Sequence, residues 1–222
     1  MPRTPDPHLR DRLIAAATEQ FAAVGYAGAT LDAIAARAGV TKGGVYFHFA
    51  GKEELFFAVL DHWRERRRRV LQVPNPAPGG AAAALREFLA GYLAFHFHAP
   101  AATHLLRVLA TELRGRFTAR LREDDRHEQR WLRASVRELL VQGQRDGTLD
   151  IEDPALTAFV VSAAVAGVLE QWHTSPTDVE ALCEERQLAG LLVQRYAAGR
   201  AAPRGDGDGD ADDDFAFRPV GP

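Results

Sequence analysis

The apolar residues of this 222-residue chain recur with the helical repeat over most of its length. Leu9, Leu13, Ala17 and Phe21, for example, fall on one face of a helix near the N-terminus. Alternation with a period of two, which marks a half-buried strand, does not extend over any useful length, so the sequence predicts an all-α fold. Glycine and proline divide it into roughly nine predicted helices, at about residues 7–24, 31–38, 42–48, 51–71, 81–98, 102–114, 117–145, 154–173 and 176–199.

The segment 30–54, TLDAIAARAGVTKGGVYFHFAGKEE, predicts two short helices joined by a tight turn, with a third helix just behind. Thr30 and Thr41 are good N-caps. Gly39 ends the first short helix, because only glycine adopts a left-handed C′ conformation with little strain. Val40 is expected to fill the gap between the helices. This pattern is typical of a helix-turn-helix, which places its second helix in the DNA major groove.

The outward face of the second short helix supplies the candidate DNA contacts. Val45 and Phe49 are expected to face inward. The outward residues are Lys42, Gly43, Gly44, Tyr46, Phe47 and His48. Two successive glycines weaken a helix by about 1 kcal/mol each relative to alanine, and close approach to a groove floor would explain them.

Further DNA contacts are expected at helix N-termini, where backbone N–H groups bind phosphate. Thr30, Thr41 and Gly51 would aim these groups at phosphate oxygens. Lys52 lies in the first turn of the fourth helix, where its charge opposes the helix dipole, and this makes sense if DNA phosphate lies nearby. Capping alone is the alternative for the two threonines, and a solvated charge is the alternative for Lys42.

Four groups of residues in this region resemble the TetR family of bacterial transcriptional regulators. They are Thr30-x-x-x-Ile34-Ala35, Ala38-Gly39-Val40-Thr41-Lys42-Gly43, Tyr46-Phe47-His48-Phe49 and Lys52-Glu53-Glu54-Leu55-Phe56. The likeness covers roughly residues 10–60 in fixed register, and the remainder resembles the family only in length and helical layout. The resemblance implies phosphate contacts by Tyr46 and His48, a ligand-binding helical body and a homodimer.

Composition and the resemblance divide the chain into three predicted parts. Residues 1–50 form a helix-turn-helix DNA-binding head, and residues 51–199 form a helical ligand-binding and dimerisation body. Residues 200–222 are rich in Gly, Pro and Asp, so we expect a disordered acidic tail. The net charge is −3, but residues 1–73 hold 11 Lys and Arg against 8 Asp and Glu, so positive charge lies where phosphate must be met.

Composition also excludes several classes of protein. Hydrophobic residues make up 46% of the chain, and the single Cys183 excludes a disulfide scaffold and fits a reducing cytoplasm. No apolar run approaches the roughly 20 residues of a membrane span, and the N-terminus lacks an apolar signal core. We therefore expect a cytoplasmic protein without a membrane partner. No nucleophile–base pair, phosphate loop or metal motif stands out, so we expect neither an enzyme nor a cofactor.

Aromatic residues crowd the fifth to seventh predicted helices. At helical spacing they are usually core, but an apolar pocket with a few polar groups is also what a small-molecule site needs. The candidate ligand-lining residues are Tyr92, His96, Glu112 and Trp131. His96 and His98 point about 200° apart on a helix, so they cannot share one metal ion and we expect no metal site.

A basic run occupies the end of the fourth predicted helix. It comprises Arg64, Arg66, Arg67, Arg68 and Arg69. A solvated face with salt bridges to acids such as those at 123–125 is the first interpretation. Long-range attraction to DNA and an anionic ligand are the alternatives.

The last two predicted helices carry the signal for oligomerisation. Small residues such as Ala163 and Gly167 would let another helix approach closely, and Leu188 and Leu192 extend the apolar surface. Burial within the chain is the alternative. The resemblance favours a two-fold, four-helix interface between two subunits.

Together these features predict a homodimeric, ligand-responsive repressor that binds a pseudo-palindromic operator in double-stranded DNA. A small hydrophobic effector would release it. The region from Arg130 to Trp172 distantly resembles acyl-CoA-responsive members of the family, which favours an acyl-CoA-like effector. The alternative is a DNA-binding regulator or architectural protein without a small-molecule effector.

Overall fold

The computed structural model of the protein describes residues 8–72, 79–109, 113, 117–177 and 184–198. Within these ranges lie nine α-helices: α1 Leu9–Gly28, α2 Leu31–Arg37, α3 Lys42–His48, α4 Lys52–Val70, α5 Gly80–His98, α6 Pro100–Thr103, α7 Thr118–Arg145, α8 Pro154–Thr174 and α9 Glu185–Gln194. A π-helical turn, His104–Leu109, continues α6. The predicted all-α fold with a three-helix N-terminal head is confirmed.

The end of α1 differs from the prediction for a local reason. Gly25 has a left-handed φ of 69° and interrupts the helix where the sequence predicts its end. The chain then resumes a helical turn to Gly28, because the ring of Tyr26 is buried against Phe21 and Phe56 at centroid distances of 5.9 and 5.2 Å. Apolar packing therefore lengthens the helix beyond its glycine.

Two predicted helices differ from their patterns within the described residues. The helix expected at 102–114 is a four-residue α-turn, Pro100–Thr103, followed by the π-helical turn. The helix predicted at 176–199 is not continuous: Pro176 and Thr177 are helical, as predicted, but Glu184 is not, and α9 begins after it at Glu185 with a capping box. Residues 178–183 lie outside the described ranges, as do Glu112 and the predicted tail at 200–222.

A first hydrophobic core, here called the head cluster, joins α1, α2 and α3 to the first part of α4. Its largest fully buried side chains include Phe21, Phe56, Phe57, Leu13, Ile14 and Ile34. Leu105 from the π-helical turn and Leu121 from α7 also belong to it. The boundary predicted after residue 50 thus cuts through this cluster, which continues along α4 to Leu60, and the domain division stays a prediction.

A second core, here called the body cluster, lies among α5, α7, α8 and α9. Its buried members include Leu85, Phe88, Leu89, Leu93, Val136, Leu140, Val161, Val165 and Leu169. Leu71 joins it from the end of α4. Because α4 begins in one cluster and ends at the other, it connects the head to the body.

Helix α8 is apolar on its outer face as well as its inner one. Leu156, Phe159 and Val160 are exposed there. By length and composition α8 is apolar enough to cross a membrane, which corrects the expectation that no segment comes near that length. That expectation counted unbroken apolar runs, whereas small residues interrupt α8 without making it polar. Core helices of water-soluble proteins meet the same criteria, so a single helix of this kind is weak evidence for a span.

Candidate DNA-binding head and effector site

Two threonines cap the short helices of the head, as predicted. The hydroxyl oxygen of Thr30 accepts a hydrogen bond from the backbone N–H of Ala33 at 3.1 Å. The hydroxyl oxygen of Thr41 accepts one from the N–H of Gly44 at 3.3 Å. Side-chain caps of this kind typically stabilise a helix by about 1 kcal/mol. The caps fix where α2 and α3 begin, while their contact with phosphate stays a prediction.

Helix α3 has one buried face and one exposed face. Val45 and Phe49 are buried in the head cluster, as predicted, and Val40 packs against it from the turn. Of the outward candidates, Lys42 and Gly43 are exposed, Tyr46 is 51% exposed and Phe47 is 82% exposed. Gly44 and His48 are half-buried at the margins of this face.

Lys42 has a partner within the head that the sequence did not reveal. Its Nζ donates to Oδ2 of Asp32 in the first turn of α2, at 2.8 Å. The hydrogen bond to Asp32, and then its charge, raise the pKa of Lys42. Both side chains remain about half-exposed or more. The ammonium group is therefore held at the edge of α3 with solvent still beside it.

Lys52 connects the start of α4 to the end of α1 through hydrogen bonds. Its Nζ donates to the backbone carbonyls of Tyr26 and Ala29, both at 2.8 Å, and lies 4.7 Å from the centre of the Tyr26 ring. These carbonyls face outward because α1 ends here, so the cation satisfies acceptors that the helix leaves unpaired. This structural role was missed, since it depends on residues over 20 positions apart. Contact of Lys52 with phosphate stays a prediction.

Three of the four candidate ligand-lining residues converge in the body. The rings of Tyr92 and His96 lie 5.0 Å apart, and those of Tyr92 and Trp131 lie 6.4 Å apart. The guanidinium of Arg67 sits over both Tyr92 and Trp131, at 5.2 and 5.5 Å from the ring centres. Arg67 thus stands at the centre of the group, although the sequence placed it only in a basic run. The fourth candidate, Glu112, lies outside the described residues.

The described hydrogen bonds around His96 favour one tautomer. The side chain is buried, with 1% of the residue exposed. The hydroxyl of Thr103 donates to the backbone carbonyl of His96 at 2.9 Å, so its oxygen is left to accept from Nδ1, 3.0 Å away. Nε2 then faces Nη1 of Arg67 at 3.4 Å as an acceptor. A neutral imidazole with hydrogen on Nδ1 satisfies these contacts. His98, by contrast, is exposed and pairs with Glu185 at 3.2 Å.

The basic run forms salt bridges to α7. Nη1 of Arg64 lies 3.0 Å from Oδ2 of Asp124, one of the acids anticipated. Arg67 and Arg68 both pair with Glu128, which was not anticipated. The Arg67 side chain is 4% exposed, and its burial lowers its pKa. Its Nε has no hydrogen-bond partner among the described residues. These pairs fasten α4 to α7 where the head and body clusters meet.

The four candidate dimer residues occupy two kinds of position. Ala163 and Gly167 are exposed on α8. Leu188 and Leu192 are half-buried and pack against the body cluster, so part of their surface is used within the chain. Leu191 between them is 61% exposed. The outer faces of α8 and α9 thus remain largely uncovered in the single chain.

Helix α3 is short and exposed, is separated from α2 by a glycine turn, is capped by threonine and packs on an apolar core. These features define a helix-turn-helix, the motif of a class of DNA-binding proteins. Residues 13–59 match the model of the family of bacterial regulatory proteins, tetR family. SrpR, an HTH-type transcriptional regulator of Pseudomonas putida, is 59% identical over 51 residues, which are 23% of this chain and 24% of SrpR. That match therefore spans about a quarter of the relative's length.

Similarity over the full length is lower but extends through the body. YhgD, an uncharacterized HTH-type transcriptional regulator of Bacillus subtilis, is 26% identical over 197 residues, which are 86% of this chain and 95% of YhgD. The fold is similar to that of SmeT, the repressor of the Stenotrophomonas maltophilia multidrug efflux pump SmeDEF, with a TM-score of 0.65. That likeness covers 86% of this chain and 91% of SmeT at 22% identity. The sequence match to the tetR family thus covers the N-terminal head, and the similarity of the body to SmeT is one of fold.

Proposed function

We propose that the protein is a homodimeric repressor that binds a pseudo-palindromic operator and leaves it when a small hydrophobic effector binds. The observation that carries the DNA-binding part is the face of α3, where a cation and two aromatic side chains are exposed opposite a fully buried Val45. The proposed DNA contacts are Thr30, Thr41, Lys42, Gly43, Gly44, Tyr46, Phe47, His48 and Lys52. A protein that acts on operator DNA works in the cytoplasm, and we propose that location.

The dimer is proposed from the uncovered faces of α8 and α9. Leu156 and Phe159 are 60% and 52% exposed, which is unusual for a long apolar helix unless a partner covers it. A Cβ atom at Gly167 or Gly190 would meet nothing within 4 Å, so packing within this chain does not require glycine there. A second copy seated on these faces would bury them around a two-fold axis. Two opposed α3 helices would then read two opposed half-sites.

The effector site is proposed around Arg67, Tyr92, His96 and Trp131. Apolar and aromatic walls with a few polar groups suit a small ligand. A guanidinium buried among aromatic rings, with one N–H lacking an acceptor among the described residues, suits a ligand that carries negative charge as well as an apolar chain. An acyl-CoA-like compound has both features.

Helix α4 is the proposed connection between effector and DNA. Its first turn is pinned to α1 through Lys52, and its far end is paired with α7 through Arg64 and Arg67. A ligand that displaces α7 relative to α4 would therefore tilt the head. The two α3 helices must stand about 34–36 Å apart to enter successive major grooves, so a shift of a few ångströms prevents both from docking.

The test uses the full-length protein and an operator selected from a random pool of DNA duplexes. Affinity for the selected duplex is measured by fluorescence anisotropy, and the complex is titrated with dodecanoyl-CoA or with coenzyme A alone. We expect dodecanoyl-CoA to weaken operator binding by about 5–150-fold, the usual range of coupling between two sites, and coenzyme A to have no effect.

The outcomes separate the two parts of the proposal. Selection of no preferred duplex would reject sequence-specific DNA binding. Selection of a preferred palindrome whose affinity no apolar compound changes would reject the effector and leave a regulator or architectural protein that works without one.

A further inference from the structure

Phe47 is the most exposed of the large hydrophobic side chains in the described part of the chain, at 82%. Its ring has one aromatic neighbour within the described residues, His48, at a centroid distance of 5.1 Å and nearly perpendicular. Single exposed apolar residues are common on protein surfaces, so exposure by itself says little. The position of Phe47 is informative because it lies on the helix that faces DNA.

The neighbours of Phe47 allow α3 to lie deep in a groove. A Cβ atom at Gly43 would meet only Oγ1 of Thr41, at 3.8 Å, which is an ordinary contact. Packing within the chain therefore does not require glycine at this position. The small surface at Gly43, beside the exposed Lys42 and Tyr46, leaves room for another molecule to come close to the helix backbone. A helix that approaches so closely brings Phe47 within reach of the base edges.

The chemistry of the phenyl ring narrows what it can contact. Phenylalanine has no hydrogen-bond donor or acceptor, so it gains little from a phosphate oxygen or from the polar edge of a base. The apolar group that the major groove presents is the C5 methyl group of thymine. Tyr46 differs, because its hydroxyl can donate to phosphate.

We propose that Phe47 is a specificity-determining residue that recognises a thymine in each operator half-site through the thymine methyl group. This inference rests on the proposed DNA-binding function and adds the base that the ring selects. It concerns the identity of one base pair, whereas Lys42 and the helix N-termini contribute affinity that is largely independent of sequence.

The experiment replaces each thymine of the selected operator, one symmetric pair at a time, with deoxyuridine, which lacks only the methyl group. For the wild-type full-length protein, one pair of positions should lower affinity by about fifteenfold, or about fourfold for each half-site, as expected for one buried carbon. Substitution at the other thymines should change affinity much less.

Two variants connect this loss to the ring. Phe47→Ala should bind the thymine and deoxyuridine duplexes equally well, and its melting temperature should match that of the wild type because the side chain is exposed. Tyr46→Phe, the matched control, should weaken binding to both duplexes and keep the discrimination.

The inference is overturned if deoxyuridine at every thymine leaves wild-type affinity unchanged, or if Phe47→Ala still discriminates between the duplexes. Failure of the proposed DNA-binding function looks different, because then no preferred duplex is selected at all.

Discussion

The head and the body are both helical, but they differ in what their outer surfaces have to match. The exposed face of α3 in the head combines a cation, a small residue and aromatic rings in a fixed order, whereas the exposed face of α8 in the body is simply apolar. SrpR is 59% identical over a 51-residue segment, while YhgD is 26% identical over nearly the whole chain. Under the proposed function, the head has to match the one geometry of the DNA groove, whereas the body has to fit only its own ligand and its own second copy.

The two regions meet through unlike interactions. Near the start of α4, Phe117, which lies just before α7, packs its ring against Tyr26, Phe56 and Phe57 at centroid distances of 5.4–6.5 Å. Further along α4, ion pairs from Arg64 and Arg67 replace apolar contacts. Apolar packing tolerates small shifts. A buried charge, by contrast, is strongly disfavoured when its ion-pair partner moves away. The polar end of α4 is therefore the better place for a switch.

The largest expected effect follows from charging the body's apolar face. Ala163→Glu or Gly167→Arg would place an unpaired charge where two helices meet, and such burial typically costs several kcal/mol. Light scattering should show monomers for both variants. Ala119→Glu, at an exposed position near the start of α7, is the control and should remain a dimer. Unchanged dimers for both α8 variants would show that this face is not the interface.

Breaking the ion pairs between α4 and α7 should have the next largest effect. Glu128→Ala leaves Arg67, whose side chain is 4% exposed, without its charged partner, so the free energy of unfolding should fall by about 3–5 kcal/mol. Urea denaturation measures this loss. Glu65→Ala removes an exposed partner of Arg69 on the same helix and should leave the midpoint unchanged. Equal midpoints for the two variants would mean that the ion pairs between α4 and α7 add no stability.

A change in the head should affect DNA binding without affecting stability. Lys42→Ala removes an exposed cation, so operator affinity should fall and the slope of log affinity against log salt should decrease by about one per half-site. Arg69→Ala removes an exposed cation at the body end of α4 and should leave the slope as it is. An unaltered slope for Lys42→Ala would place this residue away from phosphate.

The smallest expected effect is a dependence of stability on pH. Partial burial, and then the charge of Arg66, lower the pKa of His62 below its ordinary value of 6.5. The unfolded chain therefore takes up this proton at higher pH than the folded chain does. Stability from this residue is complete above pH 6.5 and is lost as pH falls below it. His62→Gln should flatten the fall in melting temperature between about pH 7 and 5, and an identical pH profile would contradict the assignment.

Local chemistry explains which parts of this account could be predicted from the sequence. Thr30, Thr41 and Gly39 act within four residues of themselves, and the caps and the turn are as predicted. The pairing of Lys52 with the end of α1, and of Glu128 with Arg67, joins residues far apart in sequence, so periodicity could not reveal it.

The candidate site was predictable in part for the same reason. Tyr92 and His96 are one helical turn apart, so their meeting follows from spacing, and Trp131 joins them only because α5 packs on α7. Their role in binding an effector, and the roles of the α3 residues in binding DNA, stay predictions. The helix predicted at 176–199 starts at Pro176 as expected, but it is interrupted at Glu184, where a capping box begins α9 without a proline or glycine to mark the break.

The most direct test of the division between head and body is a crossed measurement on two variants. Operator affinity of the full-length protein is determined with and without dodecanoyl-CoA for the wild type, Lys42→Ala and Tyr92→Leu. Lys42→Ala should bind DNA more weakly but respond to the effector by the same factor as the wild type. Tyr92→Leu should bind DNA as the wild type does and lose most of the response. If Tyr92→Leu keeps the full response, or if Lys42→Ala abolishes it, DNA binding and effector response are not separated between the head and the body.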